Sequence, residues 1–175
     1  MQHHILSVLV LNRPGVLTRI AGLFSRRGFN IFSLAVSPTD DERYSRMTIV
    51  VDVESAPLEM ITKQLNKLVP VIKISHLAPD HSVEREMMLI TVNADLEQRS
   101  KVIELANLFD AQVVDVGTSS MMLMSADHPE SLDTLETLLE PFGITDVQRT
   151  GLVALPKLGT TPRQLRVASA SVTGG

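Results

Sequence analysis

Runs of apolar residues alternate along this chain with segments in which apolar residues recur every three or four positions. Residues 4–11 form a nearly continuous aliphatic run, too short for an ordinary helix and rich in branched side chains, and read as a buried strand. Asn12-Arg13-Pro14-Gly15 interrupts it. Over residues 16–27 the period changes: Leu17, Ile20, Ala21 and Phe24 share one helical face, and Arg19, Arg26 and Arg27 are left for water. Gly28 suits the left-handed position that closes a helix. Residues 30–37 and 47–53 read as two strands of a hairpin, joined through the polar stretch from Pro38 to Glu42, with Tyr44 placed in the turn. A second helix starts near Ser55, with Pro57 in its first turn and Leu58, Ile61, Leu65 and Leu68 on one stripe, and residues 71–77 make a last strand.

This order of strand, helix, strand, strand, helix, strand recurs over residues 87–94, 100–109, 111–117, 121–126, 130–139 and 144–155. The pattern predicts an α+β protein of two ferredoxin-like βαββαβ domains in tandem, each with both helices on one face of a four-stranded antiparallel sheet. The expected boundaries are 1–78 for the first domain, 79–85 for a linker and 86–156 for the second domain. The linker is placed where Ala78-Pro79-Asp80-His81-Ser82 sets a proline among polar residues. Residues 157–175, ending in Ala, Ser, Thr and Gly, bury too little to offset their ordering entropy and are expected to be a disordered tail. A unit of about 75 residues is marginal alone, so packing between halves or between chains is expected. In this topology the second and fourth strands are the sheet edges. The fourth carries Lys73 and His76 as guards, whereas residues 31–37 carry no charge, and an unguarded apolar edge accepts another strand. A homodimer contact through 31–37 follows, joining two sheets into one.

Composition narrows the function. The chain has 175 residues, 44% hydrophobic and 21% charged, with a net charge of −4 distributed as +3 over 1–78, −10 over 79–156 and +3 over 157–175. That balance excludes nucleic-acid binding by bulk charge. Sheet-borne RNA recognition depends on stacking aromatics, which are 3% of the chain. With no cysteine, disulfides and thiolate chemistry are excluded. No apolar run approaches the roughly 20 residues that span a bilayer, and no basic-then-apolar leader opens the chain, so no membrane association and a cytoplasmic location are expected. His3, His4, His76, His81 and His128 form no ligand pattern, and no metal is assigned. Nucleophile elbows, phosphate loops and dinucleotide fingerprints are absent from the sequence, and no catalytic residue is assigned. Asp127, Glu130, Asp133, Glu136 and Glu140 read as a solvated helix face and its start, and the pairs Met87-Met88 and Met121-Met122 as core filling.

One stretch carries shaped chemistry. A helix that begins directly after a buried strand offers unpaired N–H groups and the positive end of its dipole to a small carboxylate. In Asn12-Arg13-Pro14-Gly15-Val16-Leu17, Pro14 presets the first turn and Gly15 lets a ligand approach the backbone. Asn30, ordinarily a turn residue, opens the expected edge strand and can offer its carbonyl to an ammonium group. With Val16, Leu17, Ile31 and Leu34 alongside, these residues describe a pocket for a free apolar amino acid.

At these residues the chain resembles the small, regulatory subunits of acetolactate synthase (acetohydroxyacid synthase). The resemblance covers residues 3–155 and is most specific in Leu6-Ser7-Val8-Leu9-Val10, Asn12 to Val16, Gly22 to Ile31, Ser45 to Val51 and Lys63-Gln64-Leu65-Asn66-Lys67-Leu68. It implies that the first domain is an ACT domain, an amino-acid-binding regulatory module, and the second a family-specific domain of similar topology. It further implies a noncatalytic subunit of branched-chain amino acid biosynthesis that stimulates a large catalytic subunit and confers feedback inhibition, usually by valine. Thiamine diphosphate, Mg²⁺ and FAD are implied on that catalytic partner and no cofactor on this chain. The effector site implied is Asn12, Pro14, Gly15, Val16 and Leu17 of one chain with Asn30 and Ile31 of its neighbour. The competing reading is a free-standing amino-acid sensor acting on transcription or on another enzyme. Phe32 stands where relatives commonly carry glutamate, and Leu155-Pro156-Lys157-Leu158 departs from their usual ending. In the second repeat Asp95 and Glu97 replace the Pro-Gly loop and would repel a carboxylate, so no second equivalent site is expected.

Overall fold

The computed structural model describes residues 3–52 and 57–165. The fold is α+β, built from two βαββαβ units. The first contains β1 (His3–Leu11), α1 (Val16–Arg26), β2 (Ile31–Pro38), β3 (Tyr44–Asp52), α2 (Leu58–Leu65) and β4 (Val71–Leu77). The second contains β5 (Ser82–Asn93), α3 (Arg99–Leu108), β6 (Gln112–Val116), β7 (Ser120–Asp127), α4 (Pro129–Leu139) and β8 (Ile144–Arg149). The chain then enters β9 (Val153–Pro156) and β10 (Arg163–Gln164).

Alternation within β1 decides how the first unit is layered. Leu6, Val8 and Val10 point towards the helices and are buried with Ile20 and Phe24 of α1, Ile61 and Leu65 of α2, and Met47, Ile49 and Val51 of β3. Ile5 points to the opposite face. There it meets Val50 and Leu77, its cross-strand neighbours on β3 and β4, and all three are buried beneath Leu152 and Ala154. The returning segment thus roofs part of the sheet face that the helices leave open. In the second unit Met88, Ile90 and Val92 of β5 pack with Leu123 of β7, Val102 of α3 and Leu132, Leu135 and Leu139 of α4. Met88 and Met121 fill this core.

Several boundaries differ from those the sequence suggests. The compact units are 1–83 with 152–175, and 84–151, so the segment after Gly151 belongs to the first unit and the expected strand 144–155 is two strands, β8 and β9. Gly151, at φ 85°, lies where the chain breaks between them. The expected linker is only a short 3-10 turn at Pro79–His81, and Ser82 already opens β5. Tyr44 begins β3 rather than lying in the turn. Residues 157–165 are not disordered: β10 pairs with β4, Leu165 packs against the first core, and the Asn66 side-chain amide donates to the Leu165 carbonyl at 3.3 Å. The sheet order is therefore β10-β4-β1-β3-β2, and β4 is not an edge. His76 is thus flanked by β10 instead of guarding an edge, and Lys73 lies beyond the two paired residues of that strand. Ser55 and residues 166–175 lie outside the described residues.

Candidate effector site

β1 runs out where it meets β3, with Leu11 opposite Tyr44. The chain is then held by backbone bonds: the Asn12 N–H donates to the Arg43 carbonyl at 2.8 Å, and the Asn12 side-chain amide donates to the Glu42 carbonyl at 2.9 Å. Asn12 therefore ties the loop to the β2–β3 hairpin. That hairpin is in turn closed by Arg43 on Asp41, whose hydrogen bond from the guanidinium holds the Asp41 carboxyl down at about 2. Pro14 and Gly15 form the turn, and Gly15, at φ 82° and ψ −5°, is the cap residue before α1. No side chain caps this helix, no acidic residue stands in its first turn, and the N–H groups of Leu17 and Thr18 have no acceptor among the described residues. These are the donors that a carboxylate can occupy. A Cβ at Gly15 would meet nothing within 4 Å, so the approach to the backbone is open.

The side chains are less uniformly placed than the spacing suggests. Val16 is buried in the core and can serve the site only through its backbone. Leu17 is 43% exposed and is the apolar side chain presented by the loop. At the far end of α1, the Gly28 N–H donates to the Ser25 carbonyl and the Phe29 N–H to the Phe24 carbonyl, with the Phe24 and Phe29 rings edge-on at 5.9 Å. This closing motif delivers Asn30 to solvent at the mouth of β2. Ile31 pairs with Val51 and Ser33 with Val50, so Phe32 is the extra residue of a β-bulge. The bulge lets Ile31 and Leu34 both pack on the core despite their odd spacing. Phe32 itself is 62% exposed and stacks on His3 at 4.4 Å, a role that its departure from glutamate did not suggest.

One protomer does not bring the two parts together. Leu11 is level with Tyr44 and Ile31 with Val51, which separates them by about 24 Å along the strand direction. The Asn12–Leu17 loop and the Asn30–Ile31 corner sit at opposite ends of the same sheet. β2, which carries the second part, is the outer strand of that sheet.

The second unit offers no equivalent. Its corresponding loop is closed by the Asp95 carboxylate, which accepts from the N–H groups of Glu97 and Gln98 at 3.0 and 2.9 Å. Its carboxylates instead gather around Arg149, which pairs with Glu86 at 2.8 Å and with Asp133 and Glu136 of α4. Burial opposes the charge of Arg149, but the hydrogen bonds it donates to Asp133 and Glu86 outweigh it and raise its pKa. Asp133 and Glu136 are therefore paired rather than only solvated. Among the described residues no group of three His, Asp or Glu side chains stands where it could hold a metal ion, and no helix is long and apolar enough to cross a membrane.

Comparison with known proteins gives a family match for each part of the chain. Residues 6–73 match the model of the AHAS small subunit-like ACT domain, and residues 85–158 the model of the small subunit of acetolactate synthase. The acetolactate synthase small subunit of Mycolicibacterium smegmatis is 54% identical over 154 residues, 88% of this chain and 91% of that one. A probable acetolactate synthase small subunit of Archaeoglobus fulgidus is 45% identical over 152 residues, 87% of this chain and 95% of its own. The crystal structure of the small subunit from Thermotoga maritima superposes with a TM-score of 0.85 at 33% identity, covering 91% of this chain and all of that one. The chain belongs to the family of acetolactate synthase small subunits, and its first unit is that family's ACT domain.

Proposed function

We propose that this subunit stimulates the large catalytic subunit of acetolactate synthase and confers feedback inhibition by a branched-chain amino acid, valine above the others, held between two copies of the ACT domain. Membership among the small subunits supports a regulatory role and implies a large-subunit partner. In this reading thiamine diphosphate, Mg²⁺ and FAD belong to the large subunit, and this chain carries no catalytic residue.

The observation that carries the proposal is the separation of the two half-sites along an uncharged outer strand. If β2 pairs antiparallel with β2 of a second copy about a two-fold axis near Leu34, the residue-31 end of one strand lies beside the residue-37 end of the other. Ser37 is level with Arg46 and hence with Leu9, at the end of the sheet where the Asn12–Leu17 loop begins. The two-fold therefore sets Asn30 and Ile31 of each chain near the loop of its neighbour, and closes two sites at once. The α1 donors would take the carboxylate, Asn30 the ammonium, and Leu17 with Ile31 the side chain. Charge-assisted hydrogen bonds of about 1.5–3 kcal/mol each and an aliphatic burial of about 1.5–3 kcal/mol, less association costs, leave affinity between about 1 mM and tens of µM. That range suits a metabolite whose pool is being sensed.

The test is Asn30→Ala in the complex reconstituted with the large subunit. Valine affinity is expected to fall by about 1–3 kcal/mol, while the stimulated rate without valine persists. Loss of stimulation with intact valine sensitivity would overturn the assignment.

A further inference from the structure

The sheet face of the ACT unit that turns away from its helices carries a second arrangement, unconnected with the two-fold site. Register places Leu9 directly between Arg46 on β3 and Lys73 on β4, and Ser7 directly opposite Ser75 one step along. The backbone positions of these two residues stand about 9–10 Å apart across the middle strand. Neither has an ion-pair partner among the described residues. Above them Pro156 and Pro162 of the returning segment close a cleft of about 180 Å³, and no carboxylate lines it.

Each wall has a chemical meaning. Two unpaired cations that face one space repel each other, and an anion between them removes the repulsion and gains charge-assisted hydrogen bonds. The guanidinium of Arg46 can fork onto two oxygens, and Lys73 supplies a point charge from the other side. The hydroxyls of Ser7 and of buried Ser75 can donate as well. Leu9, Leu77 and the two prolines leave the remaining wall apolar. At roughly 30 Å³ per water the space equals about six waters, which is room for a small organic acid.

We infer that this cleft is a binding site for a small organic anion, a carboxylate or phosphate group bearing a short apolar part. An occupant touches both the sheet and the segment that returns to it, so it fastens residues 156–165 in place. That segment is otherwise held by backbone bonds such as Lys157 N–H to the His81 carbonyl and Leu165 N–H to the Ile74 carbonyl, by side-chain bonds from Lys157 and Thr160 to the Asp80 and His81 carbonyls, and by Leu165 on the core.

The experiment titrates the full chain at constant ionic strength with isobutyrate and, separately, with inorganic phosphate, following heat and amide hydrogen exchange. At least one probe is expected to saturate in the millimolar range and to slow exchange at residues 157–165, and the stronger of the two identifies the head group. Arg46→Gln and Lys73→Gln should each weaken binding about tenfold or more, Lys73→Arg should retain it, and Asn30→Ala should leave it unchanged. Both Gln variants should melt no lower than the parent without ligand, because neither breaks an ion pair, so a loss of binding is not a loss of fold. If neither probe saturates below about 10 mM, or binding survives in both Gln variants, the inference is overturned.

Discussion

Gly28 ends α1 with two backbone bonds and an aromatic contact, and that closure was legible in the sequence because glycine at such a position has a single common use. Gly15 was legible in the same way, as the residue that leaves the backbone open. What the residue pattern could not show is the bulge at Phe32, since a bulge inserts one residue into an alternation without changing composition. Nor could it show that Val16 faces the core. These placements make Gly15→Asp a sharp probe. At φ 82° most side chains would strain the backbone by about 1–2 kcal/mol, but Asp tolerates this region better than most and complements the helix end. The variant should therefore keep its fold and melt close to the parent, while its carboxylate occupies the donors proposed for the ligand. Calorimetry should show valine binding abolished, and undiminished affinity would remove the loop from the site.

At the scale of elements, both repeats were readable because their helices and strands obey different periods over whole turns. β9 and β10 were not. β10 is two residues long and too short to have a period, and the segment around it is polar; only its pairing partner gives it structure. The residue pattern consequently leaves it in the tail and makes β4 an edge. The pairing of β10 with β4 makes truncation informative. Removing residues 160–175 takes away β10 and the contact of Leu165 with the core, and uncovers β4 at Ser75 and His76. We expect this truncation to lower stability by about 1–3 kcal/mol in urea unfolding and to increase self-association through β4. An unchanged midpoint would show that the pairing contributes nothing.

The whole molecule is a discontinuous unit with a continuous one between its parts, an order that repeat-reading along the chain cannot see because the two repeats look equivalent. The first unit should also be the acid-sensitive one. His4 and His76 lie edge-on at 5.4 Å, and Arg163 of β10 is level with His76. Burial lowers the pKa of His4 below its ordinary 6.5; burial first, then His4 and Arg163, lower that of His76. The unfolded chain thus takes up these protons at a higher pH than the folded one. Stability present above about pH 6.5 should be lost as the pH falls from there to the lowered folded-state values, and His76→Gln should flatten that slope in denaturant titrations between about pH 7.5 and 5.5. A slope unchanged by His76→Gln would exclude the pair as its source. The discontinuity has a further consequence on the ribosome. Residues 84–151 can finish folding as soon as they emerge, whereas the unit begun first must wait for residues 152–165, synthesised roughly 4–16 s after Val83 at about 5–20 residues per second. During that interval Ile5, Val50 and Leu77 have no roof, and the ACT unit, begun first, is completed only after the unit that interrupts it.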